Sequence, residues 1–206
     1  AMAVIEWTAR ERLSPLTVAR ANSGTPRPSL PGPHQIENAA LALETMKQLN
    51  ALPESALIER ALKSVQWPGR FERIGTPPLV LDGAHNEHAA RVLTATWNEE
   101  FPGQKAALVF AAAADKQIRD MIPVFREIAG EWHLVPCSSP RIMPAEDMVA
   151  LLKNLVSEPV FIHSSLSEGL RKAVESPLPA LAAGSLFLLG DLKALLHRTE
   201  KRTTSQ

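Results

Sequence analysis

The chain has 206 residues, enough for one ordinary domain or a complete domain with part of another, and a chain of this length buries about 70% of its unfolded surface. Its 22 Lys and Arg balance 22 Asp and Glu, so no net field draws it to nucleic acid or anionic lipid, and neither partner is expected. A single cysteine, Cys137, excludes an intramolecular disulfide and a cysteine-built zinc cage. It points to a reduced, cytoplasmic setting, with Cys137 as a buried small apolar residue.

No run approaches the roughly 20 apolar residues that cross a bilayer, and no charged leader opens the chain. Ala1 ahead of Met2, and the immediate entry into Val4-Ile5-Glu6-Trp7, suggest a chain cut from something longer. An irregular stretch rich in Ser, Pro and Arg from Ser14 to Pro33 precedes a helix that carries Ile36, Ala39, Ala40, Leu43 and Met46 on one side. A second short helix is expected near Ser55 to Ser64. Trp67-Pro68-Gly69 is the best hinge, because Pro fixes φ and Gly is permissive. It divides an incomplete unit, residues 1–66, from residues 67–206.

Beyond the hinge, short apolar runs alternate with segments of helical period, the pattern of parallel strands joined by crossover helices. The strands predicted are Leu79 to Leu81, Ala106 to Phe110, Trp132 to Val135, Val160 to Ile162 and Leu186 to Leu189. Between them Ala89, Val92, Leu93, Thr96 and Trp97 make one sheet-facing stripe, as do Ile118, Met121, Ile122, Phe125 and Ala129, and then Met148, Leu151, Leu152 and Leu155. Ser165 to Val174 and Asp191 to Leu196 complete the helices. The fold class is α/β: an open, mostly parallel sheet flanked by helices.

The sequence lacks a G-x-x-x-x-G-K-[ST] loop, a G-x-G-x-x-G fingerprint and a G-x-S-x-G elbow around Ser185. The strongest positive signal is Leu81-Asp82-Gly83-Ala84-His85-Asn86, where a buried strand gives way to a helix, the place at which open parallel sheets bind ligands. Asp82 is suited to accept from ribose hydroxyls, and His85 to meet a phosphate or a reacting carboxyl group. Equally, Asp82 could cap the helix and His85 be a satisfied loop histidine. A metal pair of His85 and His88 lacks an evident third ligand. In Pro31-Gly32-Pro33-His34-Gln35-Ile36-Glu37-Asn38, the amide of Asn38 matches an adenine edge, though an ordinary first-turn polar residue would look the same. Gly69-Arg70-Phe71-Glu72 offers a guanidinium for a phosphate or carboxylate; its bland counterpart is a surface ion pair.

In this order the segments resemble the folylpolyglutamate synthase/dihydrofolate synthase family of the Mur ligase superfamily. The resemblance runs through residues 31–40, Trp-Pro-Gly-Arg-Phe-Glu at 67–72, Leu-Asp-Gly-Ala-His-Asn at 81–86, Ala-Asp-Lys at 114–116, Ser-Pro-Arg at 139–141 and Gly-Ser-Leu-Phe-Leu-Leu-Gly-Asp at 184–191. It implies a Rossmann-like C-terminal domain preceded by the tail of a central ATPase domain. By motif, Asn38, Arg70 and Asp82 would bind the nucleotide and His85 would act where phosphate meets acceptor. Lys116, Ser185 and Arg141 would hold the incoming glutamate. The implied reaction joins L-glutamate to folate or dihydropteroate through an acyl phosphate, with ATP and Mg²⁺, the magnesium ligands lying mainly in a region upstream. A monomer is expected, and the fragment alone is expected to be inactive. A peptidoglycan precursor ligase and a non-catalytic nucleotide- or metabolite-binding module are the alternatives. The chain departs from the family pattern at Gln117, where an acid is usual, and at Ala111, where the run Ala111 to Ala114 replaces a glycine-containing approach.

Overall fold

The computed structural model describes residues 2–114 and 118–203, with side chains as far as His197. The residues form two compact units, one from the stretch up to Ser29 with Pro33–Val65, the other from Leu30–Gly32 with Gln66 onward. The first unit holds three helices, α1 (Met2–Glu11), α2 (His34–Gln48) and α3 (Ser55–Ser64). The α1 helix, which periodicity did not single out, buries none of its residues. Within this unit the Ser29 amide donates to the Leu62 carbonyl at 2.9 Å, and the Ala21 amide donates to Glu37 at 3.0 Å.

The second unit is a six-stranded sheet in the order β1-β2-β6-β3-β4-β5. Its strands are β1 (Glu72–Ile74), β2 (Leu79–Leu81), β3 (Ala106–Phe110), β4 (Ala129–Leu134), β5 (Val160–Ile162) and β6 (Ala180–Ala183). All neighbours run parallel except β1, which lies antiparallel on β2. The helices are α4 (Glu87–Glu100), α5 (Ile118–Arg126), α6 (Ala145–Leu152), α7 (Leu166–Glu175) and α8 (Leu186–Thr203).

Strand alternation separates two cores. Val80, Leu108, Phe110, Trp132, Leu134, Leu181 and Ala183 face one side, where they meet Leu93 and Trp97 of α4, Met121 and Phe125 of α5, and Leu152 of α6. Leu79, Leu81, Ala107, Val109, Ala180 and Ala182 face the other, under Leu170 and Ala173 of α7 and Leu188, Leu189 and Leu192 of α8. Because both faces are covered, β2, β3 and β6 are buried throughout.

The expected strand at Leu186 to Leu189 is instead the first turn of α8. Leu188 and Leu189 pack inward while Leu186 and Phe187 are 58% and 41% exposed, an outcome of helical rather than alternating geometry. The strand lies earlier, at Ala180–Ala183, whose alanines favour helix intrinsically but are held extended by ladders to β2 on one side and β3 on the other. Between them Gly184 makes the strand-to-helix turn at φ +107°; a Cβ there would stand 2.5 Å from the Phe110 ring and 2.6 Å from the Ala111 carbonyl oxygen. Strand β4 begins at Ala129, so the stripe assigned to α5 ends at Phe125.

Candidate functional site

The chain leaves β2 through α4 on one face of the sheet and leaves the adjacent β6 through α8 on the opposite face. The loops that follow these two strands therefore diverge, opening a crevice at the strands' carboxyl ends, the topological switch point of an open α/β sheet. The two loops remain tied at the rim, where the Gly184 amide donates to the Ala84 carbonyl at 2.9 Å.

On the β2 side, the Asp82 amide extends the ladder by donating to Ala182 at 3.0 Å. Its carboxylate accepts from the Phe71 amide through Oδ2 and from the Ala84 amide through Oδ1, each at 2.9 Å. Burial nonetheless pushes the Asp82 carboxyl above its ordinary value, against the opposing pull of those two amides and the Arg70 charge. Asp82 is not the cap of α4. That position belongs to Asn86, whose side chain accepts from the Ala89 amide at 2.8 Å. His85 places Nδ1 2.8 Å from the Gly83 carbonyl. A carbonyl can only accept, so Nδ1 carries a proton in this contact and Nε2 is the ring nitrogen left for other partners.

Arg70 is exposed, and its Nη1 lies 3.6 Å from where a Cβ on Gly83 would stand, so the guanidinium reaches the Asp82–Gly83 turn. The Gly83 amide donates to the Gly69 carbonyl at 2.8 Å, binding the Arg70 loop to that turn. Phe71 adopts the left-handed φ of +47°, a conformation that costs about 1–2 kcal/mol for a residue with a Cβ. Its amide bond to Asp82 and the burial of its ring beside Trp97 and Phe101 offset that cost.

On the β6 side, Ser185 is 3% exposed and its Oγ accepts from the Phe187 amide at 3.1 Å, so this hydroxyl helps cap α8. Arg141 lies over the Phe187 ring, 5.8 Å from its centroid. The Arg141 carbonyl accepts from the Ala114 amide at 2.8 Å, and Ala113 bridges Ile142. Arg70, Asp82, His85, Ser185 and Arg141 thus gather at one end of the second unit. Asn38 belongs to the first unit, exposed on α2, with its Nδ2 donating to Gln35 Oε1 at 3.0 Å. Lys116 lies outside the described residues, as does Gln117.

Three residues without a sequence-assigned role organise these loops. Glu72 accepts from the Gly69 amide at 2.7 Å and from Lys193 Nζ of α8 at 2.8 Å. Asp191, also on α8, accepts from both the amide and the hydroxyl of Ser138 at 2.7 Å. Glu72 and Asp191 each close a motif run, which was the available signal. Cys137, beside Ser138, is half-buried rather than buried; burial first, and then the Asp191 charge, push its thiol up to about 12. Among the described residues no group of three His, Cys, Asp or Glu side chains could hold a metal ion, and no helix is long and apolar enough to cross a membrane.

A mostly parallel sheet covered on both faces, with a cation, a carboxylate, an imidazole and a helix N-terminus gathered at its switch point, defines an open α/β domain with a candidate ligand site at the carboxyl ends of its strands. Residues 69–188 match the Mur ligase, glutamate ligase domain, and the chain belongs to that family. It is similar to the dihydrofolate synthase/folylpolyglutamate synthase of Bacillus subtilis, with 32% identity over 82% of this chain and 41% of that protein. Among solved structures, the bifunctional folylpolyglutamate synthase/dihydrofolate synthase of Yersinia pestis superposes with a TM-score of 0.76 at 27% identity, covering 94% of this chain and 50% of that one. A second structure of the Yersinia pestis enzyme, complexed with AMPPNP and a Mn ion, gives a TM-score of 0.69 at 28% identity over 85% of this chain and 42% of that one. The chain therefore spans half or less of the length of these relatives.

Proposed function

We propose that this chain is the C-terminal portion of an ATP-dependent ligase that adds L-glutamate to folate or dihydropteroate. The observation that carries this reading is the gathering of Arg70, Asp82 and His85 opposite the α8 N-terminus, inside the segment that matches the family. In the whole protein, residues 1–66 would close a central ATP-binding domain and residues 67–206 would form the C-terminal domain. The substrate carboxylate would take the γ-phosphoryl group of ATP, and the glutamate amine would then attack the acyl phosphate and expel phosphate. Positioning and charge stabilisation carry such chemistry.

The residues fit this use. The exposed Arg70 guanidinium can pair with a nucleotide phosphate. Each Asp82 oxygen accepts one backbone amide and keeps a further lone pair for a ribose hydroxyl. Asn38 would meet the adenine, with its carbonyl oxygen as acceptor. His85, held by Gly83 through Nδ1, would turn Nε2 toward the reacting groups. The α8 N-terminus, Ser185, Arg141 and Lys116 would receive the carboxylates of the incoming glutamate. Mg²⁺ would accompany the ATP phosphates, its protein ligands lying mainly in a region upstream of this chain in the whole protein. A monomeric, cytoplasmic enzyme completes the reading.

The test is ligation by the whole protein, supplied with ATP, Mg²⁺, glutamate and either dihydropteroate or a reduced folate, read by product mass. Glutamate addition to one of these is expected, with none by residues 1–206 alone. Transfer only to a UDP-linked acid, or full nucleotide response by this chain with no ligation by the whole protein, would overturn it.

A further inference from the structure

We propose that Asp191 is a positioning residue that fixes the Ser138–Arg141 loop, and through it the Arg141 guanidinium, at the α8 N-terminus. The inference deepens the reading above and rests on it for the role of Arg141. Asp191 engages Ser138 with both carboxylate oxygens, Oδ2 with the amide and Oδ1 with the hydroxyl, each at 2.7 Å. Charge-assisted bonds of this length, made in a pair, fix orientation as well as position.

Other ties reach the loop at Arg141 and beyond it: the Arg141 carbonyl accepts from the Ala114 amide at 2.8 Å. Ile142 pairs with Ala113, the Met143 amide donates to Ala112 at 2.9 Å, and the Ile142 amide donates to Ser139 at 3.2 Å. Cys137, Ile142 and Met143 pack against the two cores, whereas Ser138 and Arg141 are exposed and a cavity of about 540 Å³ opens beside Ser139. At Ser138 the hold falls to the hydrogen bonds with Asp191. Asp191 and Phe187 are four residues apart on α8 and so share one face. The helix thus holds the loop at Ser138 and receives Arg141 on the Phe187 ring one turn earlier. With both oxygens occupied by Ser138, the carboxylate acts on the substrate through the loop.

The test compares Asp191→Ala, Asp191→Asn and Ser138→Ala in the whole ligase. Asn can still accept from the Ser138 amide and donate to its hydroxyl, preserving the clasp without the charge. Asp191→Ala is expected to raise the KM for glutamate about tenfold, with kcat within about threefold and the KM for ATP unchanged. Asp191→Asn should return the KM to within about threefold of the parent, and Ser138→Ala should fall between them. An unchanged KM in Asp191→Ala would refute the proposal, as would an Asp191→Asn variant as impaired as the alanine, since the charge itself would then be what matters. Hydrogen exchange on this chain separates the two levels of inference. If the whole ligase adds no glutamate, the functional reading fails. Faster exchange at the Ser138–Arg141 amides of Asp191→Ala, at an unchanged thermal midpoint, still upholds the positioning; unchanged protection refutes it.

Discussion

Replacing Asp82 with alanine tests whether the carboxylate is a structural acceptor as well as a candidate ligand group. The substitution strands the Phe71 and Ala84 amides, each now bonded at 2.9 Å. Leaving a buried donor unmet costs about 1–3 kcal/mol, and the Phe71 bond also helps hold that residue at φ +47°. Against this, the variant no longer has to bury a carboxylate. A net loss of about 2–4 kcal/mol follows, equivalent to a fall of about 5–15 °C in thermal midpoint for a chain of this size. Denaturation followed by the fluorescence of the buried Trp97 and Trp132 reads it directly. The pH dependence gives a second check. Because burial raises the Asp82 pKa above its ordinary 3.8, the folded state retains a proton that the unfolded state has released in the interval between the two values. The stability Asp82 contributes is therefore fully present below 3.8 and declines as pH rises through the folded value. The gap between parent and Asp82→Ala should be wider at pH 4 than at pH 7. A loss under about 0.5 kcal/mol, or a gap that widens toward neutrality, would contradict the balance of burial and hydrogen bonding argued here.

Gly184→Ala should destabilise by about 3 kcal/mol, since the new Cβ meets the Phe110 ring and the Ala111 carbonyl at a positive φ; urea midpoints would register it, and a neutral result would mean that the turn can relax. His163 lies 2.9 Å from His133 in a buried pair, and its pKa is lowered by burial first and then by the His133, Lys172 and Arg171 charges, with Glu168 opposing. Stability from His163 should be present above about 6.5 and lost as pH falls through its lowered folded value, so urea midpoints should drop below pH 6.5 in the parent but less in His163→Leu. Arg70→Ala removes an exposed side chain, so the thermal midpoint should stay within about 2 °C. In the whole ligase it should raise the KM for ATP roughly 10- to 150-fold, the equivalent of a charged contact of about 1.5–3 kcal/mol, and an unchanged KM would remove Arg70 from the nucleotide site.

Most of the sheet was legible because buried strands carry continuous apolar runs. Leu79–Leu81 and Ala106–Phe110 fall where hydrophobicity alone places them, and the half-exposed edge strand Val160–Ile162 carries the same apolar signal without the burial. The failures have specific causes. Ala180–Ala183 offers small side chains with helical preference, and only the ladders on both sides make it a strand. Leu186 to Leu189 looks like such a strand but starts a helix, because the turn at Gly184 carries the chain out of the sheet. β1 was hidden by Arg73 between Glu72 and Ile74; an antiparallel edge strand need not be apolar, and Arg73 lies at its exposed position over Phe71 and Phe101.

The site was legible as a set of motifs, but a motif does not distinguish groups that face a ligand from groups that hold the loop in place. Asp82, read from its motif as a ligand group, also holds the loops in place, its two oxygens accepting amides from two different turns. Glu72 and Asp191 direct their carboxylates inward, to Gly69 with Lys193 and to Ser138. The contacts of Asp191 with Ser138 and of Glu72 with Lys193 join segments 53 and 121 residues apart, separations that local pattern cannot reveal. The need for them follows from the topology. At the switch point the loops after β2 and β6 depart to opposite faces, so no single helix can pack over both. Hydrogen bonds from α8 take the place of that missing cover. The helix whose N-terminus faces the crevice thereby also steadies the loops that carry Arg70 and Arg141, and a disturbance at Lys193 or Asp191 should be felt first at those two cations.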